Sequence, residues 1–218
     1  QFACARDAAI ALALLRQTMG REAEAWEILA DLERADVLQS GRESDMTAAL
    51  RAELQLRSGD VEGASRWADS YPTQVPDQAL VWSAQPHMSM VRILVARNQN
   101  ADAEVALQIV DALHAIAREN LGTRFEIEIL ILRAMALDAM GRDGDAEIAL
   151  QQAVALSRPG GYIRLYVDHG IRMQRLLGRI AKRGFAPATV RRILAGFPSA
   201  PSAAAPEGTE RLEAWRPP

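Results

Sequence analysis

The 218 residues exceed the usual size of one compact core, and alanine and leucine dominate while aromatic residues make up only 5%. This balance favours helices, arranged as two domains or as one elongated repeat array. One cysteine excludes an internal disulfide, three scattered histidines lack metal-ligand spacing, and no apolar run approaches the roughly 18 residues of a membrane span. We therefore expect a cytoplasmic protein with no cofactor in this part of the chain and no membrane contact.

Charge is distributed unevenly along the chain, although it sums to −3. Residues 1–157 carry 24 acidic and 14 basic side chains, whereas residues 158–192 carry nine basic side chains and one acidic side chain, Asp168. The arginines after Gly170 recur every three or four residues, which predicts one face of an amphipathic helix. Such a face can be solvated, bind phosphate or dock on the acidic part of the chain, and no base-reading motif accompanies it.

A short pattern recurs four times, in which a turn residue is followed five positions later by alanine. The four pairs, separated by 39, 39 and 43 residues, are Gly20 and Ala25, Gly59 and Ala64, Asn98 and Ala103, and Gly141 and Ala146. Apolar segments with helical spacing flank each turn, so each repeat predicts two helices joined by a tight turn. The turn residue ends the first helix in the left-handed conformation, and the small alanine lets the second helix pack closely.

This spacing resembles the tetratricopeptide repeat, in which helix pairs stack into a superhelix with a concave inner surface. We therefore predict an all-α fold, a tetratricopeptide-like superhelix of antiparallel helix pairs, over residues 1–197. Residues 123–140 are apolar almost all round, which predicts an inner helix packed on both sides.

Two proline-containing segments interrupt the helical pattern. Residues 71–85 include Pro72 and Pro76 and are predicted to form a loop inserted into the array, with Pro86 in the first turn of the next helix. Residues 198–218 are rich in Ser, Ala and Pro, which is typical of a linker.

The segment Gly161 to Gly170 is similar to the signature Gly-Tyr-x-Arg-x-Phe-Val-Asp-x-Gly of the MalT-like family, the large ATP-dependent LuxR-type transcription activators. The surrounding stretch from Glu126 to Leu177 resembles the C-terminal repeats of that family. The resemblance implies an N-terminal P-loop ATPase, a winged-helix connector, this superhelical sensor and a DNA-binding helix-turn-helix. We interpret four signature residues as structural, closing the array: Tyr162, Arg164, Asp168 and Gly170.

Only the sensor is expected within these residues. The phosphate-binding motif Gly-x-x-x-x-Gly-Lys-Ser/Thr does not occur in the sequence, and we expect the helix-turn-helix to begin after Pro218. The resemblance implies that the partners are a small-molecule inducer or a regulatory protein and the other domains of the same chain. It implies contact with DNA only through the helix-turn-helix.

Six residues are candidates for binding the effector. Trp82, Gln85, His87 and Arg92 cluster around the predicted loop, and an aromatic side chain with polar neighbours on a concave surface is typical of small-molecule sites, although Trp82 also suits a core position. Arg124 and Glu128 are spaced as an i,i+4 ion pair on the predicted inner helix, where one of them is able to meet a ligand.

The sequence favours binding over catalysis. Asp168 and His169 are adjacent, and neighbours on a helix point about 100° apart, so they do not suit a catalytic dyad. We expect no enzyme. The leading interpretation is an effector-sensing and protein-interaction domain of a bacterial ATP-dependent LuxR-type activator. The alternative is a tetratricopeptide scaffold that assembles protein partners without a small-molecule ligand.

Overall fold

A computed structural model describes residues 2–76, 81–120, 122–158 and 161–198, and every regular element in these ranges is an α-helix. Four helix pairs form the array: α1 (Phe2–Thr18) with α2 (Glu22–Ser40), α3 (Asp45–Arg57) with α4 (Val61–Ser70), α5 (Val81–Arg97) with α6 (Asn100–Asn120), and α7 (Gly122–Ala139) with α8 (Asp143–Leu156). Three further helices follow: α9 (Ile163–Val167), α10 (Gly170–Lys182) and α11 (Pro187–Leu194). The prediction of an all-α, tetratricopeptide-like superhelix is confirmed.

The turn between the two helices of each pair has the predicted geometry. The φ angles are 74° at Gly20, 87° at Gly59, 56° at Asn98 and 70° at Gly141, so all four turn residues are left-handed. The alanines five positions later are fully buried: Ala25, Ala64, Ala103 and Ala146. A larger side chain at these positions would separate the two helices of the pair.

The helices stack in chain order, with α1, α3, α5 and α7 contacting one another along the inner side of the array. The main hydrophobic core extends from α3 to α11, and its centre is α7, which is buried on most of its surface as predicted. A smaller core joins α1 and α2 to α3 through Leu29, Leu50 and Leu54. The first helix pair is therefore attached to the array through one face of α3.

The inserted loop is shorter than predicted. Helix α5 begins at Val81, so residues 81–85 are helical and Pro86 lies inside the helix instead of in its first turn. Proline adopts the backbone φ of a helix and removes only one hydrogen bond, so a helix able to bury apolar side chains can extend through it. The described part of the loop, residues 71–76, begins at Tyr71, whose ring stacks on Trp67.

Helices α9 to α11 pack on the last pair and on one another. The phenol of Tyr166 on α9 is fully buried and forms a 2.6 Å hydrogen bond with the Ser157 hydroxyl at the end of α8. Phe197 is buried against the main core, while the predicted linker lies almost entirely at 199–218, outside the described residues. Among the described helices, none is long and apolar enough to cross a membrane.

Candidate functional site

A cavity of about 370 Å³ opens on the inner side of the array, between α3, α5 and α7 and the turn that joins α9 to α10. Its polar lining residues are Glu53, Arg57, Arg92, Asn98, Glu128, Asp168, His169 and Arg172. Its apolar lining residues are Leu56, Val95, Ala96, Met135 and Leu165. The cavity volume lies near the lower end of the range for small-molecule sites, and the mixed lining is typical of them.

Three repeats contribute the same helix face to this cavity. Glu53, Arg92 and Met135 each lie six residues before the turn residue of their repeat, and Leu56 and Val95 each lie three residues before it. Because the inner helices stack side by side, equivalent positions align across the concave surface. The lining is thus determined by repeat register.

Arg92 connects the three inner helices at the cavity wall. Its guanidinium donates to the carboxylate of Glu53 on α3 at 3.2 Å and to the carboxylate of Glu128 on α7. Glu53 is buried and also accepts from Ser89 at 2.9 Å and from Arg57 at 3.1 Å. Three side chains therefore satisfy both oxygens of Glu53, and Arg92 joins α3, α5 and α7 in one ionic network.

The buried groups of this network remain charged. Burial alone would raise the pKa of Glu53, but the charges of Arg92 and Arg57 and the Ser89 hydrogen bond lower it to about 2. Burial likewise opposes the charge of Arg92, and the carboxylates of Glu53, Glu128 and Asp168 reverse that effect and raise its pKa. Neither group changes protonation near neutral pH.

The family of the chain follows from comparison with known proteins. The family described as the MalT-like TPR region matches residues 1–183, which include α1 to α10. The chain belongs to this family. Neither the curated proteins nor the solved structures include a match to the chain. The ligand and partners of this MalT-like TPR region therefore have to be inferred from its own residues.

The family signature forms the short helix α9 and the turn after it. Arg164 pairs with Asp168 one helical turn away, and Gly170 has a φ of 66° where α10 begins. These contacts agree with a structural role, but Asp168 and His169 also line the cavity. Burial and the positive charges of Arg92 and Arg57 lower the pKa of His169 to about 3, so its ring is neutral at ordinary pH.

The structure describes the side chains of five of the six candidate residues of the sequence analysis, and these lie in different environments. Arg92 and Glu128 line the cavity of the MalT-like TPR region, whereas Arg124 is more than half exposed and its guanidinium lies 3.9 Å from Glu128. His87 is buried near the loop, where its ring nitrogen lies 3.1 Å from the Gln74 carbonyl.

The other two candidates do not contribute described contacts to the cavity. Gln85 is half-buried on α5 and does not line the cavity. The side chain of Trp82 falls outside the described part of the chain. Of the cluster that the sequence suggested around the loop, Arg92 lines the cavity, whereas Gln85 and His87 do not.

Sequence reasoning missed five of the polar lining residues: Glu53, Arg57, Asn98, His169 and Arg172. Two signals were available. Glu53 is a charged residue on an inner helix at the repeat position that Arg92 also occupies, and the turn residue Asn98 lies at the end of the same helix as Arg92. The approach of His169 and Arg172 depends on how α9 and α10 fold back on the array, which no local pattern specifies.

The basic helix α10 docks on the acidic part of its own chain. Arg172 and Arg179 donate to Asp138 at 2.8 Å and 2.7 Å, and Arg183 pairs with the buried Glu147 at 2.6 Å. The apolar face of α10, which includes Met173, is buried against the main core. Of the three interpretations of the basic block, intramolecular docking accounts for these arginines.

Proposed function

We propose that this MalT-like TPR region is the effector-sensing and protein-interaction domain of a bacterial ATP-dependent LuxR-type transcription activator. The observation that supports this function best is the cavity at the centre of the array, which has a buried ionic network and an apolar wall. A small effector bound there would contact three consecutive repeats and the turn that begins the C-terminal helices.

Contact with several repeats gives such a ligand a route to regulation. The inner helices α3, α5 and α7 are joined at the cavity by Arg92, so a change in their spacing must rearrange this network. A ligand that binds one arrangement more tightly than another shifts the population between them, and a shift from 1:99 to 99:1 requires about 5.5 kcal/mol of differential binding. The other domains of the regulator would respond to the arrangement that the ligand favours.

Thermal denaturation against a metabolite panel tests the proposal. A ligand present at roughly 100 times its Kd stabilises the chain by about 2.7 kcal/mol, which raises the Tm. We expect Ala96→Phe to abolish this increase because Ala96 lines the cavity outside the ionic network. The matched control is Ala101→Phe, at an exposed position on α6, which should keep the increase. An equal response in Ala96→Phe would place the effector elsewhere.

A scaffold without a small ligand is the second candidate, and one surface favours it. Leu12 and Leu15 lie on one side of α1, Met19 follows its last residue, and all three side chains are about half exposed. Apolar side chains at this spacing suit contact with another helix. If peptides raise the Tm while every metabolite fails to, and Ala96→Phe responds like the wild type, the scaffold function is supported and the effector function is overturned.

A further inference from the structure

Among the described residues that line the cavity, Glu128 carries a buried carboxylate oxygen that forms no hydrogen bond. Glu128 is 6% exposed, and one of its carboxylate oxygens, Oε1, accepts from Arg92. The other, Oε2, is buried and forms no hydrogen bond with a described residue. The guanidinium of Arg124, which is more than half exposed, lies 3.9 Å from Oε2. Burying a carboxylate oxygen without a hydrogen-bond donor costs free energy. A ligand that donates to this atom would therefore gain more binding free energy than one that donates to a solvated oxygen.

The cationic lining residues are already matched with carboxylates. Arg57 donates to Glu53 at 3.1 Å, Arg92 donates to Glu53 and Glu128, and Arg172 donates to Asp138 at 2.8 Å. An anionic ligand would have to compete with these carboxylates for the same guanidinium groups. The lining thus offers a free acceptor but no free cation.

His169 adds a second acceptor without adding positive charge. Its ring is neutral at ordinary pH because burial and the neighbouring Arg92 and Arg57 lower its pKa to about 3. A neutral imidazole has one nitrogen with a lone pair, and its ring forms no hydrogen bond with a described residue. The lining therefore includes two acceptors, at Glu128 on α7 and at His169 before α10.

The rest of the lining suits hydrocarbon. Leu56, Val95 and Ala96 come from α3 and α5, and Met135 and Leu165 come from α7 and α9. These side chains have no hydrogen-bonding groups other than the weak thioether acceptor of Met135, so they favour an apolar ligand body. A ligand with several charges would leave some of them unpaired against this wall.

We infer that the cavity binds a small primary amine, with its ammonium group on Glu128 Oε2 and its hydrocarbon body against Leu56, Val95 and Met135. A primary ammonium has three donors and a full positive charge, so its hydrogen bond to a carboxylate is stronger than that of a hydroxyl. This ligand class rests on the proposed function, because it describes the effector that would occupy the same cavity.

The test compares three probes of equal length, hexylammonium chloride, 1-hexanol and sodium hexanoate, in NMR titrations of the 218-residue chain at pH 7. We expect hexylammonium to shift the resonances of cavity residues and to bind at least about tenfold more tightly than the other two, as one charge-assisted hydrogen bond would provide. The wild-type comparison needs no variant, so it is decisive even if a substitution in the ionic network fails to fold.

Two variants locate the ammonium group. Glu128→Gln should remove the preference for hexylammonium over 1-hexanol, whereas Arg124→Gln, which removes the exposed partner of the same carboxylate, should keep or strengthen it. Equal or tighter binding of 1-hexanol or hexanoate to the wild type would overturn the amine class. The amine class is also overturned if none of the three probes shifts the resonances of cavity residues while a metabolite raises the Tm. In that case the proposed effector-sensing function still stands. If Ala96→Phe leaves the metabolite response intact, the effector binds elsewhere and the cavity fails as its site.

Discussion

The close packing of each helix pair depends on one small residue. Ala146 on α8 is fully buried where α8 begins to pack on α7, and its equivalents in the other three repeats are equally buried. We predict that Ala146→Leu lowers the free energy of unfolding by about 1–3 kcal/mol, because three extra carbons must enter a filled interface. Urea denaturation would measure the change.

An exposed alanine on the same helix provides the control. Ala155 is exposed on α8, and Ala155→Leu keeps a good helix former there without entering the core. We expect its unfolding free energy to stay within about 0.5 kcal/mol of the wild type. Equal stability of the two variants would show that the repeat alanine does not limit how closely α7 and α8 approach.

The buried phenol of Tyr166 predicts a loss of stability at high pH. Burial raises its pKa to about 12, and the hydrogen bond with Ser157 reduces this shift without cancelling it. In the unfolded chain the phenol ionises near pH 10, so between about pH 10 and 12 the folded state binds more protons than the unfolded state. The stabilisation is complete below pH 10 and is lost as the pH rises towards 12, by roughly 1.4 kcal/mol per pH unit.

Tyr166→Phe isolates this contribution. The variant loses one buried hydrogen bond, which lowers its stability at pH 8 by about 0.5–1.5 kcal/mol, but it no longer ionises. The difference between wild type and variant in urea denaturation should therefore shrink and then reverse between pH 9 and 11. Parallel pH profiles for the two proteins would contradict the assignment of the raised pKa to Tyr166.

Residue patterns predicted the turns more reliably than the lining of the site. A left-handed residue followed by a small residue is a local requirement, so Gly59 and Ala64 reveal it in the sequence alone. His169 becomes a cavity residue only because side chains from several helices surround it. Its neighbour Asp168 forms a local ion pair with Arg164, and the sequence pattern of that pair does not indicate a cavity. The sequence patterns did not specify which residues distant in the chain come together around the cavity.

Among the helices, α10 combines two modes of attachment. Its apolar face is buried, and Arg179 reaches three acidic side chains of the last repeat: Asp138 at 2.7 Å, Asp143 at 3.1 Å and Glu147 at 3.7 Å. We predict that Arg179→Gln lowers the free energy of unfolding by about 0.5–1 kcal/mol at low salt, since the pair is partly exposed, and by less in 1 M NaCl.

Arg175 is the matched residue on the same helix. It is exposed and makes no ion pair with any described residue, so Arg175→Gln removes the same charge without removing a contact. We expect no measurable change in stability at either salt concentration. If Arg175→Gln and Arg179→Gln lowered the free energy of unfolding equally, the loss would come from the net charge of α10. It would not come from the ion pairs that dock α10 on α7 and α8.

The predicted start of α5 was wrong because tertiary packing of the helix outweighed the local preference of Pro86. Pro86 suits the first turn of a helix, which is why the sequence predicted a loop up to residue 85. In the structure the helix starts at Val81, and Pro86, Met88 and Val91 are buried. The apolar burial that α5 gains from its neighbours is a tertiary effect, and it outweighs the one backbone hydrogen bond that proline removes.

At the scale of the whole molecule, the array has two hydrophobic cores of unequal size. The smaller core joins α1 and α2 to α3 and contains seven buried apolar side chains among the described residues, while the larger core extends through all the helices from α3 to α11. The buried carboxylate of Asp36 reinforces the junction, because it accepts hydrogen bonds from Arg6, Ser44 and Thr47. In a repeat array each unit is stabilised by its neighbours, so the unit with the smaller core should open first.

Native-state hydrogen exchange tests this order of opening. We predict that the amides of α1 and α2 exchange through a partial opening whose free energy lies below that of global unfolding, while those of α5 to α8 exchange only with the whole chain. Leu29→Ala, in the smaller core, should lower the opening free energy of α1 and α2 by about 2–5 kcal/mol and the global unfolding free energy by the same amount, because both processes lose the contacts of Leu29. Leu150→Ala, in the larger core, should lower the protection of α5 to α8 and leave the partial opening of α1 and α2 unchanged, because the contacts of Leu150 survive that opening. A single opening free energy for all helices, moved equally by both variants, would show that the array unfolds as one cooperative unit and that the smaller core does not define a separate one.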